Sequence, residues 1–144
     1  MSGIWVLSGP NLNRLGTREP EIYGSMTLAE IEGWLRDEFP SHELDFRQTN
    51  DESELISWLH QAVDAGVDVV LNPAAFTHYS YALRDAVALV TETGGTLIEV
   101  HLSNPQAREE FRHTSVVSGV ASGVIQGFGR DSFRLAIAQI TQSK

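Results

Sequence analysis

The sequence predicts an α/β fold, a flavodoxin-like five-stranded parallel sheet in the order 2-1-3-4-5 with helices on both faces. Two observations carry the class. Short, nearly continuous apolar runs alternate with amphipathic stretches of helical period, five times in succession. Strands apolar on both faces are those of a parallel sheet covered on both sides. The strand order is an expectation from the fold class, since period alone does not fix it.

The elements follow in order. IWVLS at 4–8 is a buried first strand. Thr27 to Glu30 forms a capping box, and Leu28, Ile31, Trp34 and Leu35 then recur at helical spacing until Pro40. Residues 43–48 alternate enough for a strand at a sheet edge. Asp51, with Glu54, caps a second helix whose apolar face is Leu55, Trp58, Leu59 and Ala62, and Gly66 ends it. VDVVLN at 67–72 is the third strand, 80–92 a helix, TLIEVH at 96–101 the fourth strand and GVIQG at 123–127 the fifth. A helix over 131–141 closes the chain.

With 144 residues and no linker or repeat, the whole of 1–144 reads as one domain. The absence of an apolar run of 18 residues, or of a signal-like start, gives an expectation of a soluble, cytoplasmic protein with no membrane partner. Zero Cys removes thiolate nucleophiles and zinc–thiolate sites. A net charge of −9 argues against nucleic acid as a partner, because its phosphates need a basic surface. Nine of the ten basic residues are Arg and the only Lys is Lys144. Lysine-imine chemistry needs a buried or crowded amine, which a terminal Lys seldom is, and a Walker-type phosphate loop needs an interior Lys.

Ligands of open α/β sheets bind beyond the carboxyl ends of the strands. Three segments therefore hold the candidate residues. SGPNLNRLGTREPEIYGS, residues 8–25, is too long and too polar for an ordinary connection and brings Asn11, Arg14, Arg18, Glu19 and Tyr23. The third strand is followed by Asn72 and His78, the fourth by His101, Leu102, Ser103, Asn104, Arg108 and Arg112. Together they make a site for a small, oxygen-rich anion.

Each has a plainer reading. His101 can be a hydrogen-bonded core residue, and His78 can begin the helix behind it. Asn104 before Pro105 is a helix start, with Arg108 and Arg112 four apart on one face beside Glu109 and Glu110. Tyr23 can be an anchor for its loop. A free phenol ionises near pH 10, so using one as a base at pH 7 costs roughly 4 kcal/mol. A cation within about 4–6 Å recovers part of that, and Arg18 is the nearest in sequence.

GPNLNRLGTREPEIYG, NPAAFTHYSYALRDA, EVHLSN and REEFRHTS, in this order and spanning nearly the whole chain, resemble the signature segments of the type II 3-dehydroquinate dehydratases. The resemblance implies a flavodoxin-like fold and removal of water from 3-dehydroquinate to give 3-dehydroshikimate, with no metal or organic cofactor. It implies that Tyr23 is the base, Arg18 the lid arginine that supports the tyrosinate, and His101 the acid. By the same resemblance, Asn11 is expected to help position a water at the enolate, Asn72, His78 and Arg112 to hold ring hydroxyls, and Leu102 and Ser103 to hold the carboxylate. The resemblance also implies that Asp85 approaches a neighbouring subunit's site in a homododecamer built as a tetramer of trimers. The missing interior Lys fits, because the unrelated type I enzymes use a lysine imine.

Three features depart from the pattern. Tyr79 and Tyr81 stand where small residues are expected, and NPAAF has alanine where glycine is commoner. SVVSGVASG and GFGRDSF match more loosely. Two other readings remain: a non-catalytic binding or receiver domain, which lacks its phosphate loop or clustered Asp here, and a lapsed paralogue, which would be expected to have lost at least one of these residues.

Overall fold

The computed structural model describes residues 3–142, so Lys144 lies outside the described residues. Five parallel strands, β1 (Ile4–Ser8), β2 (Leu44–Gln48), β3 (Asp68–Asn72), β4 (Leu97–His101) and β5 (Gly123–Gln126), form one sheet in the order β2-β1-β3-β4-β5. This is the expected order. The sheet reverses between β1 and β3, which opens a crevice at their carboxyl ends.

Helices α2 (Leu28–Glu38), α3 (Glu52–Ala65), α4 (Tyr81–Glu92) and α5 (Asp131–Gln142) cover the sheet. Alternation along each strand sorts the core in two. Ile4, Val6, Val70, Ile98 and Val100 meet Ile31 and Leu35 of α2 and Phe133, Ala136, Ile137 and Ile140 of α5. Leu7, Val69, Leu71 and Leu97 meet Leu55, Leu59 and Ala62 of α3 and Leu83, Ala86, Val87 and Val90 of α4.

Local chemistry sets the helix ends. The Thr27 hydroxyl accepts the Glu30 N–H at 3.1 Å while the Glu30 carboxylate accepts the Thr27 N–H at 2.9 Å, which completes the capping box. Asp51 caps α3 by accepting the Ser53 N–H, and the left-handed Gly66 terminates it. Ser80 is the N-cap of α4 and accepts the Leu83 N–H.

The segments after β1 and β3 touch. Gly9 N–H donates to the Asn72 carbonyl at 2.8 Å, and a Cβ on Gly9 would stand 2.9 Å from the Pro73 carbonyl oxygen. Only glycine allows that approach. The long polar segment is not structureless: it holds a 3-10 turn, Leu12–Arg14, and a one-turn helix α1, Pro20–Tyr23. Leu12 and Leu15 tie its first half into the core. Its second half closes on itself at Gly16, whose φ of +94° lets the chain pass beside Ser25 and Thr27.

The stretch after β4 corrects one expectation. No continuous helix carries Arg108 and Arg112. Pro105–Ala107 and Glu110–His113 are separate 3-10 turns, with Asn104 capping the first through the Gln106 N–H at 3.1 Å. The extended backbone at Arg108 breaks the helix and puts the two arginines on different turns.

Candidate active site

The three polar segments converge on a cavity of about 200 Å³ at the carboxyl ends of β1, β3 and β4. Asn11, Arg18 and Tyr23 line it from the first segment, Asn72, Ala74, Ala75 and His78 from the second, and His101, Leu102, Ser103, Arg108 and Arg112 from the third. Of the candidates, Arg14, Glu19, Asn104 and Asp85 stay outside the lining and the others are brought together. Asp85 lies exposed on α4, 3.7 Å from the Arg84 guanidinium and outside the cavity of its own chain.

Tyr23 ends α1 and is half-buried. Its hydroxyl oxygen accepts a hydrogen bond of 2.6 Å from Arg108 Nη1, across 85 residues of sequence. The Arg18 guanidinium carbon stands 4.5 Å from the centre of the same ring. Two cations thus flank one phenol. Arg108 also donates to the Ser103 hydroxyl at 3.2 Å, which links the first segment to the third.

His101 is the last residue of β4 and buried. Its Nε2 lies 2.6 Å from Glu99 Oε2. Strand alternation places residues 99 and 101 on the same face, so the carboxylate lies directly behind the imidazole. Glu99 is only 1% exposed. Burial pushes its carboxyl up, but hydrogen bonding and charge from His101, with hydrogen bonds from Ser118 and Thr77, outweigh this and hold it below the ordinary 4.5. An ionised carboxylate only accepts, so Nε2 carries a proton. Nδ1 is left to exchange one with a bound molecule.

The remaining walls offer paired donors and acceptors. Asn72 is buried, its Oδ1 accepts the Ala74 N–H at 3.1 Å, and its amide donors stay available. His78 Nδ1 donates to the Thr114 carbonyl at 2.8 Å, leaving Nε2 as an acceptor. Arg112 is held by Glu109 at 2.9 Å, and this pairing with Arg112 first among its causes keeps the Glu109 carboxyl below its usual range. Asn11 takes a left-handed φ of 71° and donates its N–H to Asn50 Oδ1. Among the described residues, no three His, Asp or Glu side chains are grouped to hold a metal ion.

Sequence reasoning passed over Glu99 and gave Arg108 no role. A lone carboxylate inside the apolar run TLIEVH, two residues before a His, was the available signal for Glu99. The departures fall into place. Tyr79 and Tyr81 are exposed beside the site at 59% and 71%, outside the cavity lining. Ala74 has φ of +52°, the conformation for which glycine is the default residue.

A fold with its crevice at the sheet's reversal, a buried carboxylate–histidine pair and a phenol between two guanidiniums defines an acid–base enzyme for a small polyoxygenated anion. The family model described as Dehydroquinase class II matches residues 2–141. The chain is 55% identical to a 3-dehydroquinate dehydratase of Salinispora tropica over 136 residues, 93% of each chain. It is 54% identical to one of Bacillus licheniformis over 140 residues, 96% of this chain and 94% of the relative. The crystal structure of a type II dehydroquinase from Propionibacterium acnes superposes with a TM-score of 0.93 at 42% identity, covering 99% of this chain and 97% of that one. The chain belongs to the type II dehydroquinases, lyases of the shikimate pathway.

Proposed function

We propose that this chain dehydrates 3-dehydroquinate to 3-dehydroshikimate through an enolate, with Tyr23 as base and His101 as acid. Tyr23, as phenolate, takes a proton from the carbon beside the ketone. The electron pair moves onto the carbonyl oxygen, where a water positioned by Asn11 stabilises the charge. The enolate then collapses, the carbon–hydroxyl bond breaks, and His101 gives its proton to the departing hydroxyl, which leaves as water. The single observation that carries this reading is the placement of Tyr23 and His101 on one cavity, each backed by a partner of opposite charge to the form it must take.

Arg18 and Arg108 supply positive charge where the phenolate forms. In this reading Asn72, His78 and Arg112 hold the ring hydroxyls. The Leu102 and Ser103 backbone and the Ser103 hydroxyl take the carboxylate. No cofactor takes part. The segment 16–25, pinched at Gly16, acts as the lid that carries Arg18 and Tyr23. Asp85 is exposed outside its own cavity, and Tyr79, Tyr81 and Phe111 are large exposed rings, which supports a contact with another copy in a homododecamer.

The test follows the absorbance of the conjugated enone when metal-stripped protein meets 3-dehydroquinate, with a borohydride-treated sample alongside. Equal product in both is expected. No product from folded protein would return the lapsed-paralogue reading, and loss only after borohydride would demand an imine.

A further inference from the structure

The third layer around the site is built of hydroxyls. Glu99 Oε2 accepts from Thr77 Oγ1 at 2.5 Å and from His101 Nε2, and Oε1 accepts from Ser118 Oγ at 2.5 Å. Thr77 Oγ1 also lies 2.6 Å from Ser115 Oγ. Proton counting orients this chain. Thr77 has one hydroxyl proton and the carboxylate can only accept it, so the Ser115 hydroxyl must donate to Thr77. Ser115 Oγ in turn accepts the N–H groups of Val117 at 3.1 Å and Ser118 at 3.0 Å. All donors therefore run one way, from a fixed backbone turn to one buried carboxylate.

The same turn is tied to the segment after β3. Val116 N–H donates to the Thr77 carbonyl at 2.7 Å, and Thr77 sits between Phe76 and His78, 1% exposed. Glu99 has few ways to move. Each of its two oxygens is met by a donor whose own position is set elsewhere. With the carboxylate ionised, all three neighbours donate to it, an arrangement that favours the charged form.

We infer that Thr77 and Ser118 are positioning residues of the proposed acid: their hydroxyls, aligned by Ser115, hold the Glu99 carboxylate as the acceptor that fixes the His101 proton at Nε2 and leaves Nδ1 to serve the substrate. This rests on His101 being the acid. Thr77 and Ser118 lie outside the cavity lining and act through Glu99.

The experiment compares Thr77→Val, which keeps the shape and removes the hydroxyl, with Thr77→Ser, which keeps the hydroxyl. Turnover of 3-dehydroquinate is measured together with the ring 15N spectrum of labelled His101. Thr77→Val is expected to lower kcat about tenfold with KM within about twofold, as for loss of one hydrogen bond to a charged group. Its ring spectrum should show mixed Nε2–H and Nδ1–H forms, and Thr77→Ser should restore both readouts. Ser118→Ala, away from the segment that carries His78, should act in the same direction and serves if Thr77→Val does not fold. Lowered kcat with an unaltered ring overturns the inference, as does a Thr77→Ser variant impaired as much as Thr77→Val. Unaltered ring and unaltered turnover overturn it while leaving His101 its role. A mixed ring with full turnover instead removes His101 as the acid, and the inference with it.

Discussion

Tyr23 and His101 face one cavity from two different kinds of support. His101 stands on a central strand, paired with a buried carboxylate that is itself held by Thr77 and Ser118. Tyr23 stands on a single helical turn whose N-cap, Glu19, has a left-handed φ of 38°, and it is held from outside by Arg108. Burial explains the contrast. In the proposed reading the acid belongs to the scaffold, where its hydrogen bonds are shielded from water, whereas the base sits on a half-exposed segment at the surface. That reading divides the work of one reaction between a buried acid and a base nearer the surface.

The sharpest way to break this comparison is Tyr23→Phe. It is expected to lower kcat about 10³-fold, within the usual worth of a general base, while calorimetry shows substrate still bound. Activity near the original would remove Tyr23 from the base role and leave the lid merely a cover.

On the His101 side, Glu99→Gln should lower kcat about 10²-fold, because His101 loses a charged partner. The same variant tests acid stability. Glu99 ionises more readily when folded, so its contribution is full above the ordinary 4.5 and is lost as pH falls through the lower folded value. Urea midpoints of the parent should therefore drop on acidification below about pH 4.5, and those of Glu99→Gln should drop less. Equal slopes would show that other carboxylates carry the acid sensitivity.

On the Tyr23 side, Arg18→Ala should lower kcat about tenfold with a smaller effect on KM, since its guanidinium lies over the ring without a bond to the hydroxyl. Arg108→Ala should cost more than that, because it donates directly to the oxygen. A loss confined to KM in both would make them substrate clamps. The smallest effect concerns Ala74. Ala74→Gly is expected to raise stability by about 1 kcal/mol, or about 2–4 °C in Tm, by relieving the left-handed backbone. An unchanged Tm would show that the surrounding loop already absorbs the strain.

How much of this was legible differs by element. Capping residues Thr27 and Asp51 and the five apolar runs give the main helices and strands nearly to the residue, because both signals are local. Arg108 and Arg112 were misread as one helix, since their spacing fits a helical face while the extended backbone at Arg108 does not. Glu99 went unseen within an apolar strand. Its meaning depends on Thr77, Ser118 and His101, which only folding assembles.

The sequence by itself determined the succession of strands and helices along the chain, the absence of thiols and of an interior lysine, and the segments from which a site could be built. Periodicity, capping and residue type are properties of near neighbours along the chain, and they need no partner. The tertiary structure decided which groups meet: Arg108 on the Tyr23 hydroxyl, Glu99 behind His101, Asp85 outside its own chain's cavity. Those contacts are made across strands and between loops, where burial strengthens a hydrogen bond and penalises every polar group left without one.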